Sequence, residues 1–320
     1  MKKSAITGIH HVTAIASDSQ TIYQFITAVL SMRLVKKTVN QDDIQTYHTF
    51  FADDQGSPGT DLTFFDFIGV PRGISGTNEI SRIGLRVPSD KALDYYQKRF
   101  DSFDVKYEPI EEMYGAKTLA FEDSDGQLYR LFSDEHNTGV EGGIPWKEGP
   151  VPPEYAIYGL GPIEITVSYY DDFIQLMKDI YRFRVIDSNA QQTLLEVGKG
   201  GHGAQMIVRH DEATPIGFQG YGEVHHVAFR VPDHEAIKHW QVYYDNIGLQ
   251  HSGLVDRFYF EALYTRIGHI LIEISTDGPG FMVDEPYETL GESLSLPPFL
   301  RPQRKQIEAE IRPFDTSRHS

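Results

Sequence analysis

The 320-residue sequence contains no cysteine. Disulfides, thiolate nucleophiles and Cys-rich zinc sites are thereby excluded, and any metal has to rest on histidine and carboxylate ligands. Long apolar runs are missing as well. None approaches the ~18–20 residues of a membrane-spanning helix, so no transmembrane helix is expected. The start of the chain, Met1-Lys2-Lys3-Ser4, is basic, but no apolar stretch of about 7–15 residues follows it. That pattern argues against a secretory signal and for a cytoplasmic location. Cationic residues are scarce: 29 Lys and Arg stand against 46 Asp and Glu, a net charge of −17. A nucleic-acid partner needs clustered cation and is not expected. The glycine-rich pieces lack the strand–loop–helix setting of a phosphate-binding loop.

What is present is repetition. Gly8-Ile9-His10-His11-Val12-Thr13 resembles Glu223-Val224-His225-His226-Val227-Ala228, and Ser81-Arg82-Ile83-Gly84-Leu85-Arg86-Val87-Pro88 aligns with the stretch from His225 to Pro232. Ile163-Glu164-Ile165-Thr166-Val167 opens a further copy. Each opening strand is followed by an amphipathic segment of helical period, over 20–30, 90–100, 171–181 and 233–246, and then by β-rich runs. The chain reads as β-α-β-β-β four times. A Gly/Pro-rich stretch over 135–156 divides it into an N-terminal pair of modules (6–134) and a C-terminal pair (157–276), with a polar tail over 277–320 in which Ile307–Ile311 suggests a short helix.

Side chains alternate across a strand. His226, Ala228 and Arg230 share one face of their strand, and Val227, Phe229 and Val231 the apolar other face. The same phase puts His11 and Thr13 on the lined face of the first strand, and sends His10 and His225 the other way unless a bulge intervenes. In the closing run His269-Ile270-Leu271-Ile272-Glu273-Ile274-Ser275, Glu273 stands opposite three isoleucines. A lone acid in an apolar strand is costly to bury unless it is paired or binds a metal. Counting five from the glycine before each module's last strand puts Phe64, Leu131 and Val208 at the equivalent positions, so that only the fourth module carries an acid. His11, His226 and Glu273 are the candidate metal ligands. Of the remaining histidines, His48, His136, His202, His210, His234, His239, His251 and His319 have ordinary structural explanations, and Asp42-Asp43 and Glu111-Glu112 read as solvated loop charge.

These residues carry a family resemblance. Repeated βαβββ modules, the first opening with His-His-Val-Thr and the fourth closing with an acid in an apolar strand, resemble the vicinal oxygen chelate superfamily, and within it the hydroquinone-type ring-cleaving dioxygenases. The motifs are Gly8–Thr13, Phe50-Phe51-Ala52-Asp53 leading to Gly56-Ser57-Pro58-Gly59-Thr60, Val224–Phe229 and Tyr259–Arg266, within a likeness over roughly residues 6–300. The resemblance implies an α+β fold of two glyoxalase-like domains with cup-shaped mixed sheets, modules one and four forming one cup and modules two and three the other. It implies a non-heme Fe(II) (Mn(II) being the alternative) on His11, His226 and Glu273, with His10, Thr13, His225, Arg257 and Tyr264 around it. The substrates it implies are a small aromatic diol of hydroquinone or catechol type and O₂; a homo-oligomer is allowed. Two His and one carboxylate on one face of an octahedral ion leave positions open for both substrates. Tyr264 and His225 are then the acid/base candidates, with Arg257 holding them. Arg257 and Tyr264 have opposite strand phase, so a turn has to separate them if both face the metal. A glyoxalase-like isomerase, which needs a fourth ligand, and a metal-free sequestering protein are the competing readings. In the second cup, Arg82 and Glu164 occupy the positions of the two metal histidines and are expected to pair.

Overall fold

Each of the four modules begins with a strand whose apolar residues alternate and continues into a helix that covers those residues. The computed structural model describes residues 5–318; the basic start Met1–Ser4 and His319 lie outside them. The first module comprises β1 (Gly8–Ile15), α1 (Ser19–Gln24), β2 (Arg33–Asn40), β3 (Asp43–Ala52) and β4 (Asp61–Phe65). The second comprises β5 (Glu79–Val87), α2 (Asp90–Ser102), β6 (Glu111–Met113), β7 (Ala116–Glu122) and β8 (Leu128–Ser133). After a two-residue strand, β9 (Gly159–Leu160), come β10 (Ile163–Val167), α3 (Tyr170–Tyr181), β11 (Arg184–Ser188), β12 (Gln192–Glu196) and β13 (Gln205–His210). The fourth module is β14 (Glu223–Val231), α4 (His234–Ile247), β15 (His251–Asp256), β16 (Glu261–Ile267) and β17 (Ile270–Thr276). Within the tail, α5 spans Arg304–Glu310, so the expected short helix forms about three residues earlier than its apolar residues suggest.

The helices bury one stripe each. In α4, Ala236, Ile237, Trp240 and Tyr244 are buried at helical spacing, Asp233 caps the first turn through a 2.9 Å bond from the Ala236 N–H, and Gly248 ends the helix at φ +70. In α2 the stripe is Ala92, Leu93, Tyr96 and Phe100. Both pack on the apolar faces of the sheets, in one continuous core that includes Val12, Ile83, Ile165, Val227 and Ile272.

Two mixed sheets result. One runs β15-β16-β17-β14-β1-β4-β3-β2, and the other β11-β12-β13-β10-β5-β8-β7-β6. The first therefore joins modules one and four across some 210 residues of sequence, with β1 antiparallel to β14; the second joins modules two and three through β5 and β10. Each is a curled cup whose concave face is the one that the sequence phase reserves for polar side chains. Among the described residues no helix is long and apolar enough to cross a membrane.

Candidate metal centre

The centre is assembled where β1, β14 and β17 lie side by side. His11 Nε2 is 3.2 Å from His226 Nε2, and Glu273 Oε2 lies 3.2 Å from the first and 2.9 Å from the second. All three residues are buried, Glu273 completely. Among the described residues these are the one group of three or more metal-binding side chains whose donor atoms converge. The sequence phase thus selected three residues that the structure brings together.

The first histidine of each pair departs from that phase. The β1–β14 register skips His10 on one strand and His225 on the other. Each is the extra residue of a β-bulge, which re-aims side chains that strict alternation would send away. His10 Nδ1 consequently meets His11 Nδ1 at 2.9 Å, and His225 Nδ1 meets His226 Nδ1 at 2.7 Å. His10 Nε2 donates to the Thr276 carbonyl at 3.0 Å. Its Nδ1 then accepts from the Nδ1–H of His11, which leaves the Nε2 lone pair of His11 free for a metal. Burial, with the neighbouring imidazole, lowers both His10 and His225 to a pKa of about 3, so each stays neutral. The bulge at His10 is braced by the Asp53–Thr60 loop, where the Gly59 N–H donates to the His10 carbonyl at 2.8 Å. Gly59 sits at φ +94, and a side chain there would press on the Ile9 carbonyl at 3.2 Å.

Glu273 identifies what the cluster lacks. One carboxylate oxygen accepts from Ser275 Oγ at 2.7 Å. The other, Oε2, receives no hydrogen bond of adequate geometry although two ring nitrogens adjoin it. No Lys or Arg pairs with it among the described residues. Burial would raise this carboxyl, but the imidazoles of His11 and His226 outweigh it and hold the group well below the usual range. A fully buried carboxylate with only imidazole nitrogens facing it is short of one cation. Donors ~2.1 Å from a common ion at right angles lie about 3 Å apart, and the three separations here match one octahedral face.

The surrounding residues line a cavity of about 290 Å³. Thr13 Oγ1 is 3.0 Å from His226 Nε2 and 2.7 Å from Thr63 Oγ1. Tyr264 is directly opposite Glu273 in the β16–β17 register. Burial and the Glu273 charge raise its hydroxyl above the ordinary phenol value, so it is held as a proton donor. Arg257 lies in the turn between β15 and β16, which also contains Phe258 at φ +70. This turn reconciles the opposite phases of Arg257 and Tyr264: Arg257 Nε donates to the Tyr264 hydroxyl at 3.3 Å. Asp42, expected to be solvated loop charge, holds the Arg257 guanidinium at 2.9 Å at the cavity mouth. The remaining wall is aromatic and apolar: Phe50, Phe65, Phe67, Tyr259, Phe260 and Leu271.

His48 is a residue whose role the sequence reading missed. The sequence pattern marks it as an ordinary strand histidine, yet it faces the cavity, and its Nε2 lies 3.0 Å from Thr63 Oγ1. Its ring packs 4.0 Å from Phe50 and 4.3 Å from Phe65. Burial holds it well below its ordinary pKa. The signal was available: His48 shares strand phase with Phe50, two positions on.

The second cup presents the equivalent positions with other side chains. Arg82 Nε lies 3.7 Å from Glu164 Oε1, so the expected pair forms, but it is the weakest part of a larger cluster. Arg130 Nε donates to Glu164 Oε1 at 2.7 Å, and Arg209 Nε to Oε2 at 3.0 Å. Glu111, also read as solvated charge, pairs with Arg130 from the outer side. The count from the glycine is corrected by the strand register. Glu273 pairs with Ala228, two residues beyond His226; the corresponding partners two beyond His11, Arg82 and Glu164 are Thr63, Arg130 and Arg209. The count therefore erred by one residue, which moves a side chain to the opposite face of the sheet. Glu273 nevertheless remains the one acid among the four positions.

Among the described residues the tail does not line the cavity but supports its wall. Phe281 packs 5.0 Å from Phe50 and 5.6 Å from Tyr259. Buried Lys36 is held there by Asp284 at 2.8 Å and by Glu285. Leu296, Leu300, Ile307 and Ile311 cover Val39 and Tyr47.

Comparison with known proteins adds to this geometry. The sequence profile of the glyoxalase/bleomycin resistance protein/dioxygenase superfamily matches residues 8–131. The chain is 42% identical over 315 residues to a Bacillus subtilis protein named "Putative ring-cleaving dioxygenase MhqA", covering 97% of this chain and 99% of that one. It is 28% identical over 314 residues to the chlorohydroquinone/hydroquinone 1,2-dioxygenase of Sphingobium indicum, covering 94% and 95%. A crystal structure of a provisionally named Bacillus subtilis dioxygenase superposes with a TM-score of 0.89 at 35% identity, over 98% of this chain and 99% of that one. Glyoxalase I from Zea mays shares the fold, with a TM-score of 0.60 at 12% identity over 84% and 92%.

Proposed function

The chain belongs to the glyoxalase/bleomycin resistance protein/dioxygenase superfamily, and from that premise we propose that it is a ring-cleaving dioxygenase that opens a hydroquinone-type aromatic ring with O₂ at a non-heme Fe(II), with Mn(II) as the alternative ion. The observation that carries the reading is Glu273: a fully buried carboxylate, without a Lys or Arg partner among the described residues, whose free oxygen adjoins the Nε2 atoms of two imidazoles. Bound there, such an ion supplies a Lewis acid for the substrate oxygen and a redox centre for O₂, with positions left open for both.

The chain's own groups do the rest. Ser275 holds one oxygen of Glu273 so that the other faces the rings. His10 and His225 set the tautomers of His11 and His226. With Nδ1 accepting from His226, His225 offers its Nε2–H to the cavity it lines, a neutral donor for orienting an oxygen. Tyr264 delivers a proton from a raised-pKa hydroxyl, and the Arg257 guanidinium stabilises the oxygen that has lost it. The aromatic wall excludes water and accepts the faces and edges of a single ring. Thr63 at the fourth cup position offers no carboxylate, which counts against the four-ligand isomerase. Residues 6–134 and 157–276 are proposed as the two domains, joined by 135–156, with 277–320 as an appended tail, in a cytoplasmic protein.

The test is anaerobic reconstitution with Fe(II), followed by oxygen uptake with methylhydroquinone and with catechol. Uptake with the hydroquinone that disappears in Glu273→Ala is the expected result. Uptake with catechol alone keeps the centre and moves the substrate; no uptake by protein that holds the metal overturns the dioxygenase reading.

A further inference from the structure

Beyond the metal centre the concave face continues as a polar row across four strands. His226 Nε2 adjoins Thr13 Oγ1, Thr13 adjoins Thr63, and Thr63 adjoins His48 Nε2, at 3.0, 2.7 and 3.0 Å. One strand further, Thr38 of β2 is the direct register partner of His48 of β3. Directly opposed side chains on one face have Cβ atoms ~4.5–5.5 Å apart, so the two present their polar atoms together. Both line the cavity.

Thr38 is 2% exposed, and its hydroxyl has no hydrogen-bond partner among the described residues. A buried hydroxyl left unpaired costs about 1–3 kcal/mol. His48 uses Nε2 toward Thr63 and makes no hydrogen bond through Nδ1 among the described residues. The other polar residues on this side are committed to the mouth loop: Asn40 Oδ1 accepts from the Asp42 N–H at 2.9 Å, and Gln41 Nε2 donates to the Arg257 carbonyl at 2.9 Å. An unpaired hydroxyl and a free imidazole nitrogen therefore face the same space, at the far end of this row of three polar contacts from the metal-facing nitrogen of His226.

We propose that Thr38 and His48 form the subsite for the ring hydroxyl that does not reach the metal, and so select para-diols. This rests on the ring-cleaving reading above and assigns its substrate preference to two residues. The distal hydroxyl donates to His48 Nδ1 and accepts from Thr38 Oγ1, which completes both groups at once. A ring with hydrogen at that position leaves Thr38 unpaired and is bound more weakly. Phe50 and Phe65, packed against His48 at tilted angles, hold the imidazole in place.

The test is calorimetric binding of hydroquinone and of phenol to the Fe(II)-loaded protein under anaerobic conditions, in wild type, Thr38→Val, Thr38→Ser and His48→Phe. The wild type is expected to prefer hydroquinone by about tenfold. Thr38→Val, which keeps the shape, and His48→Phe should each erase the preference by weakening hydroquinone alone, and Thr38→Ser should retain it. A wild type without preference, or a preference intact in both Thr38→Val and His48→Phe, overturns the subsite. Oxygen uptake on the same samples separates the two ideas. Uptake with an unchanged preference removes the subsite and leaves the dioxygenase; a preference that depends on Thr38 without uptake does the reverse.

Discussion

The two cups are built on the same plan and differ in how they treat a buried acid. In the first, His11, Thr63, His226 and Glu273 occupy the four equivalent positions; in the second, Arg82, Arg130, Glu164 and Arg209 do. Among these positions each cup buries one carboxylate almost completely, Glu273 at 0% exposure and Glu164 at 1%. Glu164 is surrounded by three guanidiniums and is electrostatically complete. Glu273 has imidazole nitrogens beside it and no guanidinium or ammonium partner among the described residues, and is not. The fold alone thus creates a place where four side chains converge; whether that place is a structural cluster or a metal centre is decided by whether cations are built in or have to be recruited.

The strongest way to break the comparison is Glu273→Ala. Metal content should fall to near zero and oxygen uptake at least ~10³-fold, with the second cup undisturbed, checked by metal analysis and thermal unfolding.

Next in size is Glu164→Gln, expected to destabilise the fold by about 3–5 kcal/mol because it leaves buried guanidiniums without their anion, while metal content stays the same. Denaturant titration measures it, and a loss of metal with stability intact would contradict the division of roles. The effect should depend on pH. Burial raises Glu164, but Arg130, Arg209 and Arg82 outweigh it and hold the carboxyl below 4.5. A folded-state value below the unfolded one means stability that is present above about pH 4.5 and lost as pH falls through the folded value. The gap between wild type and variant should narrow on acidification below about 4.5.

Tyr264→Phe should lower kcat by about 10²-fold through loss of the proton donor, with metal affinity unchanged. A matching loss of metal would instead make it a structural residue. The smallest effect is expected for His10→Ala, which removes the group that orients His11 without removing a ligand. Metal affinity should weaken about tenfold, measured by competition with a chelator.

Much of this was legible in the chain. Alternating apolar strands and helical stripes announce four modules, because a side chain's face follows from local periodicity. The same periodicity places His11, His226 and Glu273 on lined faces. It misplaces His10 and His225, because a bulge is a mismatch between two strands and neither strand's own pattern encodes it. Arg130 and Arg209 escaped the count for the same reason: their alignment with Glu273 is a matter of register to a neighbouring strand. His48 and Thr38 look like ordinary strand residues until β2 and β3 are paired and curled around the cavity.

The sequence by itself determined the number of modules, the face of each strand outside the bulges, and the chemistry available: no thiol, few cations, two His-His pairs and one acid in an apolar closing strand. Tertiary structure decided which modules meet, joining β1 to β14 from opposite ends of the chain, and with that which polar groups converge. The physical reason is that a strand's own alternation specifies which way its side chains point, whereas partner, register and curvature depend on how distant apolar faces pack together. Only that packing turns Glu273 into a buried carboxylate awaiting a cation and Glu164 into one already supplied with three.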